Sequence, residues 1–293
     1  MPTELPRRIA ILVHARDSRV RERPYQIWAL ADVWRSWGID VIVQRGPARS
    51  AAADVVVNHV DLTVVPEEYL RHMSRYPVAI NGMCVDISKR VVSRNLLASP
   101  DGWDGPVIVK TDRNYGGEPE RSLRGRSAGV FHRLRMKLSR HPWRLRQLST
   151  HDYLVLESAS AVPDDVWRNP HFVVERFLPE REGDLYALRT LTVFGGRWTS
   201  RRTVSASPVI KSGNAIRVED VEPHADAFAA ARRLHLDRGK IDYVIHRDRA
   251  IVFDANRTNT MGRAMTPERI RETIDRLAPG ICAFWPPRRA ESA

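Results

Sequence analysis

Residues 241–258 read IDYVIHRDRAIVFDANRT. Two apolar runs flank the charged tip at 247–249, a pattern that predicts a β-hairpin near the C-terminal end of the chain. Each run carries a carboxylate, Asp242 in the first and Asp254 in the second, where an ordinary strand would hold another apolar side chain. What these two acids face decides how this part of the chain is interpreted.

The register of the hairpin sets the positions of both acids. A turn centred on Asp248 puts Asp242 directly opposite Asp254, with the amide of Asn256 one step along the same face. Strand alternation then predicts one polar face, made of Asp242, Val244, His246, Val252, Asp254 and Asn256. It also predicts one apolar face for the core, made of Ile241, Tyr243, Ile245, Ile251, Phe253 and Ala255.

Two carboxylates placed side by side on a sheet repel each other, and burial opposes their ionisation. A divalent cation removes the conflict. Two carboxylates and an amide oxygen form a hard-oxygen set that suits Mg²⁺, which keeps waters and takes its other ligands from substrate phosphates. Asp242, Asp254 and Asn256 are therefore predicted metal ligands. The alternative is a solvated sheet face that carries two acids by chance.

Length and composition bound the class of protein. The chain has 293 residues, is 43% hydrophobic and carries a net charge of +12, nearly all from arginine. We expect no membrane span, because no run of 18 apolar residues exists. The N-terminus does not match a signal peptide, and the two cysteines, Cys84 and Cys282, form no disulfide framework. A reduced, cytoplasmic protein is the expectation.

The segment 7–85 predicts an α/β unit, because short apolar strands alternate with helical patterns. Ligands of parallel sheets bind at the carboxyl ends of the strands. A helix is then predicted over 86–99 and a strand over 105–112, followed by a glycine-containing loop at 113–120. The segment 121–148 is rich in cations and is predicted to form a basic amphipathic helix or helix pair.

From residue 151 the pattern changes to strands joined by tight turns. Gly195-Gly196 marks a hairpin turn within the long apolar stretch 186–202. A helix is predicted over 226–236, and a last helix over 266–279 begins with Thr266 as its cap. Residues 286–293 are an expected frayed tail.

Groups suited to a nucleotide precede the hairpin. Lys110 ends an apolar strand, and Gly116 and Gly117 follow in a loop whose N–H groups are able to cover phosphates. Lys89 lies in the first turn of its predicted helix, where the macrodipole disfavours a cation unless an anion is close. The link Glu175–Leu178 leaves an apolar strand and is suited to hydrogen-bond an adenine through its backbone.

In this order the motifs resemble the ATP-grasp superfamily over residues 86–262, and the match is most specific at Asp242 and Asp254-Ala-Asn256. Asp254 stands where the family more often has Glu. The resemblance implies an N-terminal Rossmann-like parallel sheet over 1–85 followed by a two-subdomain ATP-grasp fold, with subdomains at 86–178 and 179–285. It implies ATP and Mg²⁺ as cofactors.

The resemblance also implies roles for single residues. Asp242, Asp254 and Asn256 would hold the metal. Nucleotide contacts would come from Lys89, Lys110, Gly116, Gly117, Glu175, Arg176, Phe177, Leu178 and, at the ribose, Asp184. The groups around the transferred phosphate would be Arg202, Lys211 and Asn214.

The implied activity is an ADP-forming ligase that activates a substrate carboxylate, in a small molecule or peptide, as an acylphosphate for attack by an amine or another nucleophile. A kinase on the same scaffold, a basic module for nucleic acid or an acidic partner, and a non-catalytic relative remain alternatives. Nucleic acid is not the expected partner, because the basic segment lacks interleaved aromatic residues beyond Phe131 and Trp143. The resemblance also allows a homodimer.

Overall fold

A computed structural model of the protein describes residues 4–18, 20–124, 142–145, 148–150, 152–262 and 265–286. Most of the predicted basic segment 121–148 therefore lies outside the described residues. The helices are α1 (Gln26–Ser36), α2 (Glu67–Met73), α3 (Lys89–Val92), α4 (Glu118–Arg124), α5 (Pro142–Leu145), α6 (Asp164–Trp167), α7 (Ala225–Arg233) and α8 (Pro267–Leu277). Short 3-10 turns lie at Val20–Glu22, Asn114–Gly117, Ala159–Ala161, Ser212–Asn214 and Ala278–Ala283.

The N-terminal unit is the predicted parallel sheet. Its strands are β1 (Arg8–Val13), β2 (Asp40–Arg45), β3 (Val55–Asn58) and β4 (Val78–Ile80), in the order β2-β1-β3-β4. All three pairings are parallel, and every residue of β3 is buried. The apolar runs form strands because both faces of the sheet are covered, one by α1 and the other by α2.

The second unit is a small antiparallel sheet. It contains β5 (Leu96–Leu97), β6 (Val107–Thr111), β7 (Leu154–Leu156) and β8 (Phe172–Arg176), in the order β5-β8-β6-β7. The predicted helix over 86–99 is wrong beyond Val92, because Leu96 and Leu97 pair with β8 as a strand. Here pairing across the sheet overrides the local helical pattern.

The third unit is a larger antiparallel sheet that carries the hairpin. Its strands are β9 (Glu180–Glu182), β10 (Leu185–Phe194), β11 (Arg197–Ser205), β12 (Arg217–Asp220), β13 (Arg238–His246) and β14 (Arg249–Asn256). The main order is β12-β11-β10-β13-β14, and β9 pairs with β10. Gly195 and Gly196 form the predicted turn between β10 and β11, both with positive φ, at 50° and 79°.

The C-terminal helix returns to the N-terminal unit. α8 begins as predicted, with Thr266 Oγ1 accepting a hydrogen bond from the Arg269 amide and with Pro267 in the first turn. Ile274 and Leu277 of this helix pack into the core that contains α1 and β1. Residues 266–281 therefore join the N-terminal core, although the sequence suggested that they belong with the third unit alone.

The predicted fold class is confirmed: a parallel α/β sheet is followed by two antiparallel sheets with helices. The division at 85 and 178 remains a prediction. Among the described residues, no helix is long and apolar enough to cross a membrane.

Candidate active site

A cleft of about 1170 Å³ lies where the three sheets meet. Most of the predicted site residues line it: Lys89, Lys110, Glu175, Arg176, Phe177, Leu178, Lys211, Asn214, Asp242, Asp254 and Asn256. The lining does not include Gly116, Gly117, Asp184 or Arg202. The fold therefore brings together eleven residues that span more than 160 positions of sequence, and leaves four elsewhere.

The hairpin pairs Asp242 directly with Asp254, as its sequence predicts, but a bulge produces this register. The turn is tighter than expected, because Arg247 and Asp248 alone form it, with φ of 50° and 59°, and His246 pairs with Arg249. The extra residue on β14 is Phe253, where the register shifts between Asp242 and Tyr243. The acids are aligned again on the far side of this bulge.

The bulge corrects the predicted faces of β14. Ile251 and Phe253 were expected in the core, yet both line the cleft. Val252, expected on the polar face, packs instead against the core that contains Tyr243. The acids thus share their face with apolar side chains, so the predicted face is less polar than the alternation of residues suggested.

Each acid of the pair has its own lysine. Lys240 Nζ lies 2.7 Å from Asp242 Oδ2, and Thr190 Oγ1 donates to Asp242 Oδ1 at 2.8 Å. Lys89 Nζ lies 3.4 Å from Asp254 Oδ1. Burial alone would lower the pKa of Lys89, but the nearby negative charge, chiefly that of Asp254, outweighs it and raises that pKa. The repulsion between the carboxylates is therefore already offset by two lysines, and the pair does not by itself require a metal.

The donor chemistry of the pair still fits Mg²⁺, because both groups are hard oxygen ligands on one cleft wall. Asn256 fits less well. Its Oδ1 accepts hydrogen bonds from the amide of Thr258 at 2.7 Å and from its Oγ1 at 3.1 Å, so both lone pairs are engaged. In the described part of the chain, no group of three or more His, Cys, Asp or Glu is placed to hold a metal.

Lys110 is buried with Glu175 on the facing sheet. Lys110 Nζ lies 2.7 Å from Glu175 Oε2 and 4.5 Å from the centre of the Phe253 ring. The second carboxylate oxygen of Glu175 is buried and has no hydrogen-bond partner among the residues that the structure describes. This pair connects the second sheet to the bulge of the hairpin, because Phe253 reaches it from β14.

In the link that follows β8, one backbone amide donates no hydrogen bond within the described residues. The amides of Arg176 and Phe177 donate to Asn95 O and Pro106 O, at 3.0 and 2.8 Å. Leu178 comes next, and within the described residues its amide donates no hydrogen bond. A planar ligand in this part of the cleft would meet that N–H group and the side chains of Phe177 and Leu178.

Three of the four displaced residues serve structure. Gly116 and Gly117 have φ of 63° and 73°, and a Cβ on Gly116 would lie 2.9 Å from Leu148 O. Gly116 allows the loop to pack against 148–150, whereas a Cβ on Gly117 would meet the Arg113 side chain; Tyr115 rather than either glycine lines the cleft. Arg202 lies on the opposite face of β11, where it bonds Glu180 at 2.8 Å, Glu182 at 2.6 Å and Glu219 at 2.8 Å.

Asp184 lies in the exposed turn between β9 and β10, away from the cleft. No described contact brings it towards the link Glu175–Leu178, and its expected ribose contact stays a prediction.

A loop from the third sheet closes one side of the cleft. Lys211 Nζ donates to Thr150 O, and Asn214 Oδ1 accepts from the Lys211 amide at 2.8 Å. Burial lowers the pKa of Lys211 to about 8, and Asp152 opposes this shift only in part. Lys211 is therefore close to its titration point near neutral pH.

Several cleft residues were missed, and alternation alone would have found most of them. Lys240 precedes Asp242 by two positions and Thr192 follows Thr190 by two, so each shares the cleft face with its neighbour. Arg201 occupies the cleft face because Arg202 faces the other way. Asp61 follows a strand of the N-terminal sheet, at the carboxyl end where ligands of such sheets are expected, and it lines the cleft; no local signal pointed to Arg269 of α8, which also lines it.

Two antiparallel sheets thus face one cleft beside a parallel N-terminal sheet, and the paired acids lie on the larger sheet opposite Lys110 and the link Glu175–Leu178. This arrangement of one parallel and two antiparallel sheets agrees with the fold class that the sequence predicts. No protein-family model matches the chain, and no curated protein sequence matches it.

Solved structures similar to this chain include an ATP-grasp RimK domain protein from Sphaerobacter thermophilus, at 14% identity, with 94% of this chain and 98% of that chain covered and a TM-score of 0.45. D-cycloserine synthetase DcsG has 14% identity, 94% and 99% coverage and a TM-score of 0.44. D-alanine–D-alanine ligase from Bacillus anthracis complexed with ATP has 10% identity, 94% and 95% coverage and a TM-score of 0.47.

Proposed function

We propose that this protein is a Mg·ATP-dependent ligase that activates a carboxylate as an acylphosphate. The observation that carries the proposal is the arrangement of the acid pair. Asp242 and Asp254 lie abreast on one wall of a single cleft, each beside a lysine, and Lys110 lies in the same cleft on the facing sheet. Alternating cations and carboxylates of this kind suit a triphosphate and its counter-ion.

The proposed roles follow from position. Lys89 and Lys110 bind phosphate oxygens, and the link at Phe177 and Leu178 binds the base, with the free Leu178 amide as donor. Asp242 and Asp254 hold Mg²⁺, and Asn256 joins them only if its oxygen leaves Thr258. The ion would neutralise charge on the phosphoryl oxygens.

The reaction needs no protein nucleophile. An oxygen of the substrate carboxylate attacks the γ-phosphorus of ATP, the bond to the bridging oxygen breaks, and ADP leaves. An amine nitrogen then attacks the acyl carbon, phosphate leaves, and the amine gives up a proton to form an amide. The protein positions the groups, and Lys89, Lys110 and Lys240 offset the charge that they carry.

Trapping the acylphosphate tests the proposal. A panel of carboxylic acids is incubated with Mg·ATP and hydroxylamine. Hydroxylamine converts an acylphosphate into a hydroxamate, which is detected through the coloured complex that it forms. We expect ADP, phosphate and hydroxamate in equal amounts for the accepted acid. ADP with a phosphorylated hydroxyl product and no hydroxamate would instead identify a kinase.

A matched pair of variants assigns the activity to the acids. Asp254→Asn should abolish hydroxamate formation, because it removes a charge from the acid pair. Asp248→Asn changes the same residue type at the exposed tip of the same hairpin, where the positive φ also suits Asn, and should leave activity unchanged. Equal activity in the two variants would refute the assignment.

A further inference from the structure

One row of residues crosses the larger sheet through the acid pair. The pairings place Asp220, Arg201, Thr190, Asp242 and Asp254 side by side on five adjacent strands. Adjacent strands are about 4.8 Å apart, so the backbone of Arg201 lies roughly 10 Å from that of Asp242. The floor of the cleft therefore runs from an acidic end to a guanidinium two strands away.

The Arg201 side chain is held by weak acceptors. Its Nη1 lies 3.1 Å from Met265 Sδ, and its Nη2 donates to Thr273 Oγ1 at 2.5 Å. Its buried Nε makes an ion pair with Asp220 Oδ1 at 3.5 Å, longer than a good charge-assisted bond, and within the described residues it has no closer acceptor. Thioether sulfur and a hydroxyl are poor partners for a guanidinium, which pairs best with a bidentate anion.

A second arginine lies beside the first. Arg269 of α8 also lines the cleft; its Nη1 donates to Val218 O at 3.3 Å, and its Nη2 lies 3.4 Å from Asp220 Oδ2. The acids close to these arginines, Asp220 and Glu272, are exposed and do not line the cleft. Both arginines pair with Asp220, which is exposed and outside the lining, so this end of the cleft is cationic; Lys89 and Lys240 at the other end pair with Asp254 and Asp242, which line the cleft.

We propose that Arg201 and Arg269 bind a second anionic group of the carboxylate substrate, so that the substrate is a dianion with a spacer of several carbon–carbon bonds. The inference rests on the proposed function, because the reacting carboxylate is taken to lie at the acid pair. A carboxylate at this end gives Arg201 the bidentate partner that Met265 and Thr273 do not provide. Arg201 then determines specificity and takes no part in the chemistry.

Binding of matched probes tests this subsite. Straight-chain dicarboxylates from glutarate to suberate, and the monoamide of each, are titrated by calorimetry into the protein with Mg·ADP present. Wild-type protein should bind at least one dicarboxylate about tenfold or more tightly than its monoamide, as expected for a charge-assisted bond in a partly buried site. Arg201→Gln should remove that preference, and Arg201→Lys should keep part of it.

Arg197→Gln is the matched control, because Arg197 begins the same strand, is exposed and does not line the cleft. Arg269→Gln is a second test should Arg201→Gln fail to fold, and circular dichroism monitors both. With an accepted acid, the hydroxamate assay should show Arg201→Gln raising KM for the dianion while kcat is retained.

Two outcomes overturn the proposal. In the first, wild-type protein binds no dicarboxylate, or binds none more tightly than its monoamide. In the second, the preference for the dicarboxylate survives in both arginine variants. Failure of the proposed function gives a different result. Mg·ATP binding, titrated separately, would then be absent, while a preference for dicarboxylates that depends on Arg201 would still support the anionic subsite.

Discussion

Replacing Lys110 with methionine tests both the packing and the function of the cleft. Lys110 and Glu175 have side chains that are only 7% and 2% exposed, and their charged atoms lie 2.7 Å apart. Lys110→Met keeps the aliphatic stem but leaves the Glu175 carboxylate buried without its cation. In the described part of the chain, one Glu175 oxygen has no hydrogen-bond partner even in the wild type, so we expect no neighbouring donor to replace the lysine.

Breaking a buried pair of this kind costs about 3–5 kcal/mol. At about 2–4 °C per kcal/mol for a chain of this size, Lys110→Met should lower the melting temperature by roughly 6–20 °C. The double variant Lys110→Met/Glu175→Leu, which removes both charges, should recover most of that loss, because apolar replacement of a buried pair is often neutral. Urea unfolding followed by circular dichroism measures all three proteins.

A surface pair provides the control. Arg71 and Glu67 lie 3.3 Å apart with side chains 67% and 83% exposed, so Arg71→Met should change stability by no more than about 1 kcal/mol. Function separates from stability in the double variant, which should be stable yet bind Mg·ATP weakly, because the phosphate-binding cation is gone. A loss below about 1 kcal/mol in Lys110→Met, or a double variant less stable than the single, would refute the reasoning.

Further predictions concern two cations, Lys211 and Arg202. Because burial lowers the pKa of Lys211 to about 8, kcat/KM should fall as pH rises through 8. Lys211→Arg should move this alkaline limb of the pH–rate profile to higher pH. A limb that does not move would exclude Lys211 as its origin. The unfolded chain holds this proton up to about 10.5, so the contribution of Lys211 to stability should rise with pH between 8 and 10.5. Arg202→Gln should destabilise the protein by about 1–3 kcal/mol, because it removes a hydrogen-bond partner of Glu180. The KM for ATP should stay unchanged. A large rise in that KM would indicate that Arg202 acts at the nucleotide site after all.

Local patterns predicted those features that local physics decides. Three such features are present. Thr266 caps the last helix, the glycine pair Gly195-Gly196 forms a turn with positive φ, and the alternation of apolar strands with helices gives the parallel N-terminal sheet. The helix over 86–99 failed beyond Val92, because Leu96 and Leu97 gain more from pairing with a distant strand than from continuing a helix.

The acid pair was predicted in the correct register for an incomplete reason. The turn is one residue tighter than assumed, and the bulge at Phe253 restores the alignment, which alternation alone does not reveal. Arg201 and Arg202 show the same difficulty. A strand places adjacent residues on opposite faces, so a motif located to within one residue selects the wrong arginine.

Charge balance was the least predictable part of the site. The sequence suggested that two abutting carboxylates need a metal, but Lys240 and Lys89 reach them, the second from a helix more than 160 residues earlier. Lys240 lies on the same strand face as Asp242, so strand alternation is sufficient to predict its position. Lys89 was selected because a cation in the first turn of a helix needs a nearby anion and because it resembles a phosphate-binding lysine, but its ion pair with Asp254 depends on the tertiary fold.

The most direct test of the central claim is the effect of Mg²⁺ on ATP affinity, titrated by calorimetry with and without the ion in wild-type protein and in Asp254→Asn, with Asp248→Asn as control. If the acid pair holds the ion, Mg²⁺ should tighten ATP binding in the wild type and in the control, and this gain should vanish in Asp254→Asn while its melting curve stays cooperative. An equal gain from Mg²⁺ in all three proteins would contradict the account.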